Sequence, residues 1–106
     1  MNAQITSLLH ELKTGLREFY GPRLVDTLVF GSHARGVATS KSDVDVLVVL
    51  EGDVDPGEEI ERTGEIVSDL CLAHNELISC IFVSNEWYQR ADGSFVRNAR
   101  REGVSV

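Results

Sequence analysis

The feature that most constrains this sequence is an uninterrupted apolar run, VLVVL, at residues 46–50. A strand with apolar side chains on both faces has to be covered on both faces, which is typical of a central strand packed between layers. Two carboxylates, Asp43 and Asp45, stand at the beginning of this run. The pattern therefore predicts a buried strand over residues 43–50 that carries charge at its first residues.

The surrounding segments predict helices and two further strands. Apolar residues at helical spacing predict an amphipathic helix over about residues 3–20, ended by Gly21 and Pro22. Residues 24–30 and 77–83 predict strands, and the sequence SNEWYQR and residues 95–101 indicate short closing helices.

The acidic segment between the second and third strands predicts one helix. Asp55 is placed as an N-cap, Pro56 as the first helical residue and Glu58 as the reciprocal capping residue. We expect one apolar stripe facing the sheet and the acids facing solvent; the stripe comprises Ile60, Val67, Leu70 and Cys71. The resulting order predicts one α/β (α+β) domain over residues 1–106, with a small mixed β-sheet packed with helices.

Composition narrows the function classes. The net charge is −7, and residues 51–76 hold nine acids and one base. Direct, stable nucleic-acid binding is therefore not expected. No apolar stretch is long enough for a membrane span and the N-terminus lacks a signal-peptide pattern, so we expect a cytoplasmic protein. Cys71 and Cys80 form no metal-ligand pattern and are expected to be free thiols.

The chemistry-bearing residues flank the loop between the first two predicted strands. Alternation along a strand puts Asp43 and Asp45 on one face, about 6.5–7 Å apart. Two such carboxylates repel unless a cation lies between them, and Mg²⁺ suits hard oxygen ligands and substrate phosphates. Gly31 and Ser32 form a corner whose amides favour phosphate. Arg35 adds a charge-assisted contact, and Ser42 is a candidate for capping the turn or reaching a triphosphate; the alternative is a turn without a ligand.

These residues resemble a known signature. Gly31-Ser32, ten intervening residues and Asp43-x-Asp45 are similar to the GS-x10-D-x-D motif of the polymerase-β-like nucleotidyltransferases. The string "FGSHARG…SDVDVLVVL" resembles the minimal nucleotidyltransferases (MNT), and the likeness extends over most of the chain. It implies that Asp43 and Asp45 hold one or two Mg²⁺ ions on a nucleoside triphosphate whose phosphates Gly31 and Ser32 bind. An acceptor hydroxyl would then attack the α-phosphorus and expel pyrophosphate.

The resemblance also implies a third carboxylate on the neighbouring strand, as a metal ligand or as a base for the acceptor hydroxyl. Glu76, before the predicted third strand, is our candidate for it. Asn75 competes for the position, and Asp69 on the preceding helix is expected to face solvent. The alternative is that Glu76 is a strand-end surface residue, in which case the protein is slow or only binds nucleotide.

The resemblance implies a Mg²⁺-dependent transfer of a nucleoside monophosphate, AMP from ATP, onto a macromolecular hydroxyl. Minimal proteins of this type resemble antitoxins that add AMP to a tyrosine of a HEPN toxin, which predicts a HEPN-type partner and a hetero-oligomer with it. A second hypothesis is a non-catalytic, nucleotide-binding antitoxin that acts by binding that partner. A third is a transferase for a small molecule of the aminoglycoside type.

Overall fold

The computed structural model describes residues 3–31, 43–90 and 104–105, which form a mixed four-stranded sheet packed with helices. The elements in chain order are α1 (Ala3–Tyr20), a 3-10 turn (Gly21–Arg23), β1 (Leu24–Phe30), β2 (Val44–Leu50), α2 (Pro56–Arg62), α3 (Gly64–His74), β3 (Ile78–Ser84), α4 (Asn85–Arg90) and β4 (Val104–Ser105). The strand order is β3-β2-β1-β4. β1 runs antiparallel to β2 and β4, and β3 runs parallel to β2. The predicted α+β fold with a small mixed sheet is confirmed.

Strand β2 is the centre of the molecule, as its apolar run predicts. Alternate residues of β2, namely Val44, Val46, Val48 and Leu50, belong to a larger core cluster with the buried leucines of α1. Leu47 and Val49 point to the other face and pack with Tyr88 of α4. The strand begins at Val44, so Asp43 lies one residue before it rather than in it.

Strand β3 is confirmed with its start and end shifted by one residue. The helix expected from SNEWYQR is α4, where the Ser84 hydroxyl accepts a hydrogen bond from the Trp87 N–H at 3.1 Å. Strand β4 has two residues and was not predicted. The helix expected over residues 95–101 lies outside the described part of the chain.

Cys71 and Cys80 are free thiols, as predicted. None of the described helices combines the length and hydrophobicity needed to cross a bilayer.

The acidic segment forms two helices instead of the one expected. The predicted N-cap is confirmed, because Asp55 Oδ1 accepts a hydrogen bond from the Glu58 N–H at 3.3 Å. The helix then ends at Thr63, whose hydroxyl donates to the Glu59 carbonyl at 2.8 Å. Such a side-chain bond to the preceding turn competes with continuation of the helix, and α3 starts anew at Gly64. Ile60 is exposed, so the expectation that it packs against the sheet is wrong, although it lines a common groove with Val67 and Cys71.

The expectation that all the acids of this segment face solvent is also wrong. Glu59 is only 3% exposed. The Tyr20 hydroxyl donates to its carboxylate at 2.8 Å, and Arg62 and Arg23 contact it at 3.1 and 3.6 Å. A buried carboxylate persists only when it is paired and hydrogen-bonded, and these three side chains meet that requirement.

Candidate functional site

The candidate site lies at one edge of the sheet, where β1 ends and β2 and β3 begin. Phe30, the last residue of β1, is paired with Asp45 of β2. On the opposite side, Asp45 is paired with Ser79 of β3. Parallel pairing of β2 with β3 brings the starts of both strands to the same edge. The sheet therefore holds Asp45 between two neighbouring strands.

Gly31 and Asp45 are in intimate contact at this edge. Gly31 has a φ of +74°, and a Cβ built on it would lie 2.5 Å from Asp45 Oδ2. Real Cβ atoms do not approach an oxygen so closely, and a positive φ disfavours other residues. The corner therefore requires glycine for two independent reasons. Its effect is to bring the backbone of Gly31 directly beside the carboxylate of Asp45.

Asp43 lies beside this pair at the mouth of β2. It is exposed, and the next residue, Val44, donates its N–H to the Leu77 carbonyl at 2.8 Å. Asp45 is half-buried and alternates with the residues of the larger core, so it lies on the face that carries Leu47. Asp45 thus lies in the central strand and Asp43 immediately before it, at the solvent-exposed start of the strand.

Glu76 lies at the same edge, between α3 and β3. Asn75 ends α3 in a left-handed conformation with a φ of 53°. The Glu76 N–H donates to the Cys71 carbonyl at 3.1 Å, and its side chain is half-buried. Within residues 3–31, 43–90 and 104–105, no three His, Cys, Asp or Glu side chains gather closely enough to hold a metal ion.

The residue directly beside Asp45 on β3 is Ser79, which sequence reasoning missed. Ser79 is exposed and lies on the same face, since Cys80 and Phe82 alternate with it and join the larger core. Parallel register depends on how the helices between two strands pack, so no signal within the strand segment could have identified this neighbour. Ser32, Arg35 and Ser42 lie outside the described residues.

The donor set at this edge fits a hard divalent cation. Asp43 and Asp45 provide carboxylate oxygens, and the absence of a side chain at Gly31 lets its backbone lie directly against Asp45. Mg²⁺ is commonly bound through one or two carboxylates, with waters and substrate phosphates as its other ligands. Two aspartates with a glycine corner therefore suit Mg²⁺ carried on a nucleotide better than a metal held by protein alone.

The groups with strongly shifted pKa values lie away from this edge. Burial, and to a lesser degree the nearby Cys71, raises the pKa of the Cys80 thiol to about 12. Burial also raises the pKa of the Tyr20 hydroxyl, and its hydrogen bond to Glu59 adds to this. Both groups therefore stay protonated at neutral pH, and neither suits the role of a base or nucleophile.

Comparison with known proteins gives a family match over most of the chain. A family model described as "Nucleotidyltransferase domain" matches residues 9–80. A Methanocaldococcus jannaschii protein named "Putative protein adenylyltransferase MJ0604" is 33% identical over 96 residues, which is 90% of each chain.

Two solved structures share the fold. A toxin–antitoxin structure with AMP-PNP superposes with a TM-score of 0.62 at 18% identity, over 89% of this chain and 68% of that one. The structure of a tri-AMPylated Shewanella oneidensis HEPN toxin in complex with its MNT antitoxin gives a TM-score of 0.54 at 14% identity, over 92% and 70% of the two chains.

Proposed function

The chain belongs to the nucleotidyltransferase domain family, and from that premise we propose that it transfers AMP from ATP to a hydroxyl of a HEPN-type partner protein, as an antitoxin in the cytoplasm. The observation that carries the proposal is the contact between Gly31 and Asp45 at the mouth of the central strand. It joins a glycine corner, which would favour phosphate, to a carboxylate on an inner strand of the sheet.

The residues divide into two groups. Asp43 and Asp45 would hold one or two Mg²⁺ ions, which when bound would offset negative charge on the nucleotide's phosphates. The backbone of Gly31 would meet those phosphates directly, together with Ser32, Arg35 and Ser42 from the adjoining loop. We propose Glu76 as the third carboxylate, because it stands at the same edge of the sheet.

The transfer step needs an in-line arrangement of three atoms. The acceptor oxygen forms a bond to the α-phosphorus while the bond from that phosphorus to the oxygen bridging it to the β-phosphate breaks. Pyrophosphate leaves, and the hydroxyl proton passes to Glu76 or to water. The chain's own contribution would be to hold the triphosphate against the buried central strand. Such positioning lowers the activation free energy of phosphoryl transfer.

A protein acceptor is supported by two observations. The relative named above carries protein adenylyltransferase in its name, and the MNT antitoxin of similar fold is found with an AMPylated HEPN toxin. A macromolecular acceptor would bring its own shape to the site.

The test is a labelling experiment with a HEPN-type protein as the candidate acceptor. Purified chain, Mg²⁺, α-labelled ATP and that protein are incubated, and label on the protein is measured by mass spectrometry. We expect AMP on a hydroxyl side chain, lost with EDTA and in the Asp43→Ala, Asp45→Ala double variant. Label on an aminoglycoside instead of the protein would support the small-molecule alternative.

A non-catalytic antitoxin is the second candidate, and one observation favours it. No three acidic, histidine or cysteine side chains gather at a common point in the described ranges, so Asp43, Asp45 and Glu76 form no closed triad. Under this alternative, the double variant still neutralises the partner's ribonuclease activity and no label is transferred. Neutralisation that depends on both aspartates would exclude it.

A further inference from the structure

A groove of about 580 Å³ lies between the helices α2 and α3 and the outer edge of β3. Residues from all three elements line it, among them Ile60, Val67, Leu72, Leu77, Ser79 and Phe82. The lining is mainly aliphatic and aromatic, and the volume is typical of grooves that bind ligands or peptide segments.

Three large apolar side chains of this groove face solvent together. Leu72 is 82% exposed, Leu77 is 67% exposed and Ile60 is 54% exposed. A single exposed leucine is ordinary, but a contiguous apolar patch on a protein of this size marks a surface that another molecule covers. The groove thus has the composition of an interface.

The backbone of β3 makes this interface suited to an extended segment. β3 is the outermost strand on its side, and no described strand pairs with its outer edge. The Leu77 carbonyl accepts from the Val44 N–H, so the alternate backbone groups of Ile78, Cys80 and Phe82 point outward. Outward-pointing groups of an edge strand can pair with an added strand.

The groove is continuous with the candidate site. Ser79 lines the groove and is also the register partner of Asp45. A segment paired along β3 would therefore reach the carboxylate edge within a residue or two of Ser79, at about 3.3 Å per residue. Since β3 lies between such a segment and β2, the segment's backbone would run two strand spacings, about 9.5 Å, from that of Asp45. A long hydroxyl-bearing side chain, such as tyrosine, on the face of Ser79 would be needed to approach Asp45.

Charge selects the occupant. One wall is formed by α2 and α3, which carry five acids and one arginine, and Arg62 is already paired with Glu59. None of these charged side chains lines the groove itself. The exposed acids Glu61 and Glu65 make the surface of the two helices beside it negative, which favours basic residues flanking the occupant and disfavours a second copy of a chain with net charge −7.

We infer that this groove docks an extended segment of the acceptor protein, one with apolar residues flanked by lysine or arginine, and that it presents the segment's hydroxyl to Asp45. The inference rests on the proposed function and names where its protein substrate binds. Binding there would be read out as acceptor affinity, separately from nucleotide affinity.

The test compares Leu72→Asp with Val25→Asp, a matched charge introduced at a residue of β1 that is 42% exposed and is not among the groove's lining residues. With the HEPN-type protein as acceptor, Leu72→Asp should raise both Kd and KM roughly tenfold or more and leave kcat within about twofold. Val25→Asp should leave Kd and KM unchanged, and the conservative variant Leu72→Met should have Kd and KM values close to those of wild type.

The double variant Glu61→Lys, Glu65→Lys tests the role of charge. It should slow association with the acceptor and weaken the salt dependence of the association rate. Circular dichroism verifies that each variant is folded.

The outcomes separate the two proposals. Wild-type chain that binds the acceptor without labelling it overturns the proposed function, while the Kd comparison still decides the groove. Leu72→Asp that binds like wild type overturns the groove inference alone. Light scattering could also show a wild-type dimer that Leu72→Asp dissociates. This result would identify the occupant of the groove as a second copy of the chain and would overturn the groove inference as well. If the wild-type chain neither binds nor labels the acceptor, both the proposed function and the groove inference are overturned.

Discussion

Gly31 at the end of β1 lies against Asp45 of β2 with no room for a side chain between them: a Cβ on the glycine would come within 2.5 Å of Asp45 Oδ2. The contact joins the loop-forming end of one strand to a carboxylate on the central strand. The contact therefore bears both on the stability of the corner and on the transfer activity proposed for it. A substitution at Gly31 can show which of these two properties depends on the contact.

Gly31→Ala should reduce transfer far more than it reduces stability. Alanine at the positive φ of +74° should lower the free energy of unfolding by about 1 kcal/mol. The added methyl group must also displace the Asp45 side chain. Gly52→Ala is the matched control, because Gly52 has a φ of +84° with nothing within 4 Å of its Cβ position. We expect similar urea midpoints for both variants and loss of labelling only in Gly31→Ala. Equal activities would show that the contact is structural.

Asp45→Asn should abolish the response to metal without unfolding the protein. Asparagine is isosteric with aspartate and keeps one acceptor oxygen, so the variant should remain folded in EDTA, and its Tm there serves as the reference. Mg²⁺ with ATP should raise the Tm of wild type but not of the variant, and transfer should fall about a hundredfold or more. Asp69→Asn, an exposed site on α3, is the control for loss of one negative charge. A retained Mg²⁺–ATP shift in Asp45→Asn would exclude Asp45 as a ligand.

Glu59→Ala should be the most destabilising single change among the acids of the helical segment. It leaves Arg23 and Arg62 facing each other and removes the acceptor of the Tyr20 hydroxyl, so the free energy of unfolding should fall by about 3 kcal/mol. Glu61→Ala, on the same helix but exposed, should change it by no more than about 0.5 kcal/mol. Urea denaturation checks both, and a double-mutant cycle with Tyr20→Phe isolates the hydrogen bond. Equal losses for Glu59 and Glu61 would contradict this account.

Features of the fold that depend on residues close together in the sequence could be predicted. Features that depend on contacts between distant residues could not. The apolar run of β2 is a local pattern, so the central strand was predictable. Gly31, Asp43 and Asp45 could likewise be named as candidate site residues from local sequence. The burial of Glu59 depends on Tyr20 and Arg23, which are 39 and 36 residues away along the chain, and the helix periodicity that placed it in solvent carries no trace of them. The neighbour of Asp45 on β3 likewise depends on a register set by tertiary packing.

Stability should fall at alkaline pH through two buried groups. Burial raises the pKa of Cys80 from 9.0 to about 12 and also raises that of Tyr20. Below pH 9 the thiol is protonated in both folded and unfolded chains, so it contributes no pH dependence. Between pH 9 and 12 only the unfolded chain loses this proton, and the free energy of unfolding should drop by up to about 1.4 kcal/mol per pH unit. Cys80→Val should flatten the slope between pH 9 and 10 in urea titrations; an unchanged slope would assign the loss to other groups.

Glu76→Gln decides whether the site works with two carboxylates or three. Glu76 stands before β3, whereas the position directly beside Asp45 on that strand is occupied by Ser79. If Glu76 acts as the third carboxylate, Glu76→Gln should lower kcat at least about tenfold, with the Mg²⁺–ATP shift in Tm mostly retained through the two aspartates.

Adding Ser79→Asp to Glu76→Gln should then restore part of kcat, because the register places the new carboxylate on the same face as Asp45. Ser79→Asn in the same background is the matched control without charge. Unchanged kcat in Glu76→Gln would mean that Asp43 and Asp45 suffice and that the acceptor proton leaves to water. Rescue by aspartate but not by asparagine would identify the start of β3 as the place where this fold accepts its third acid.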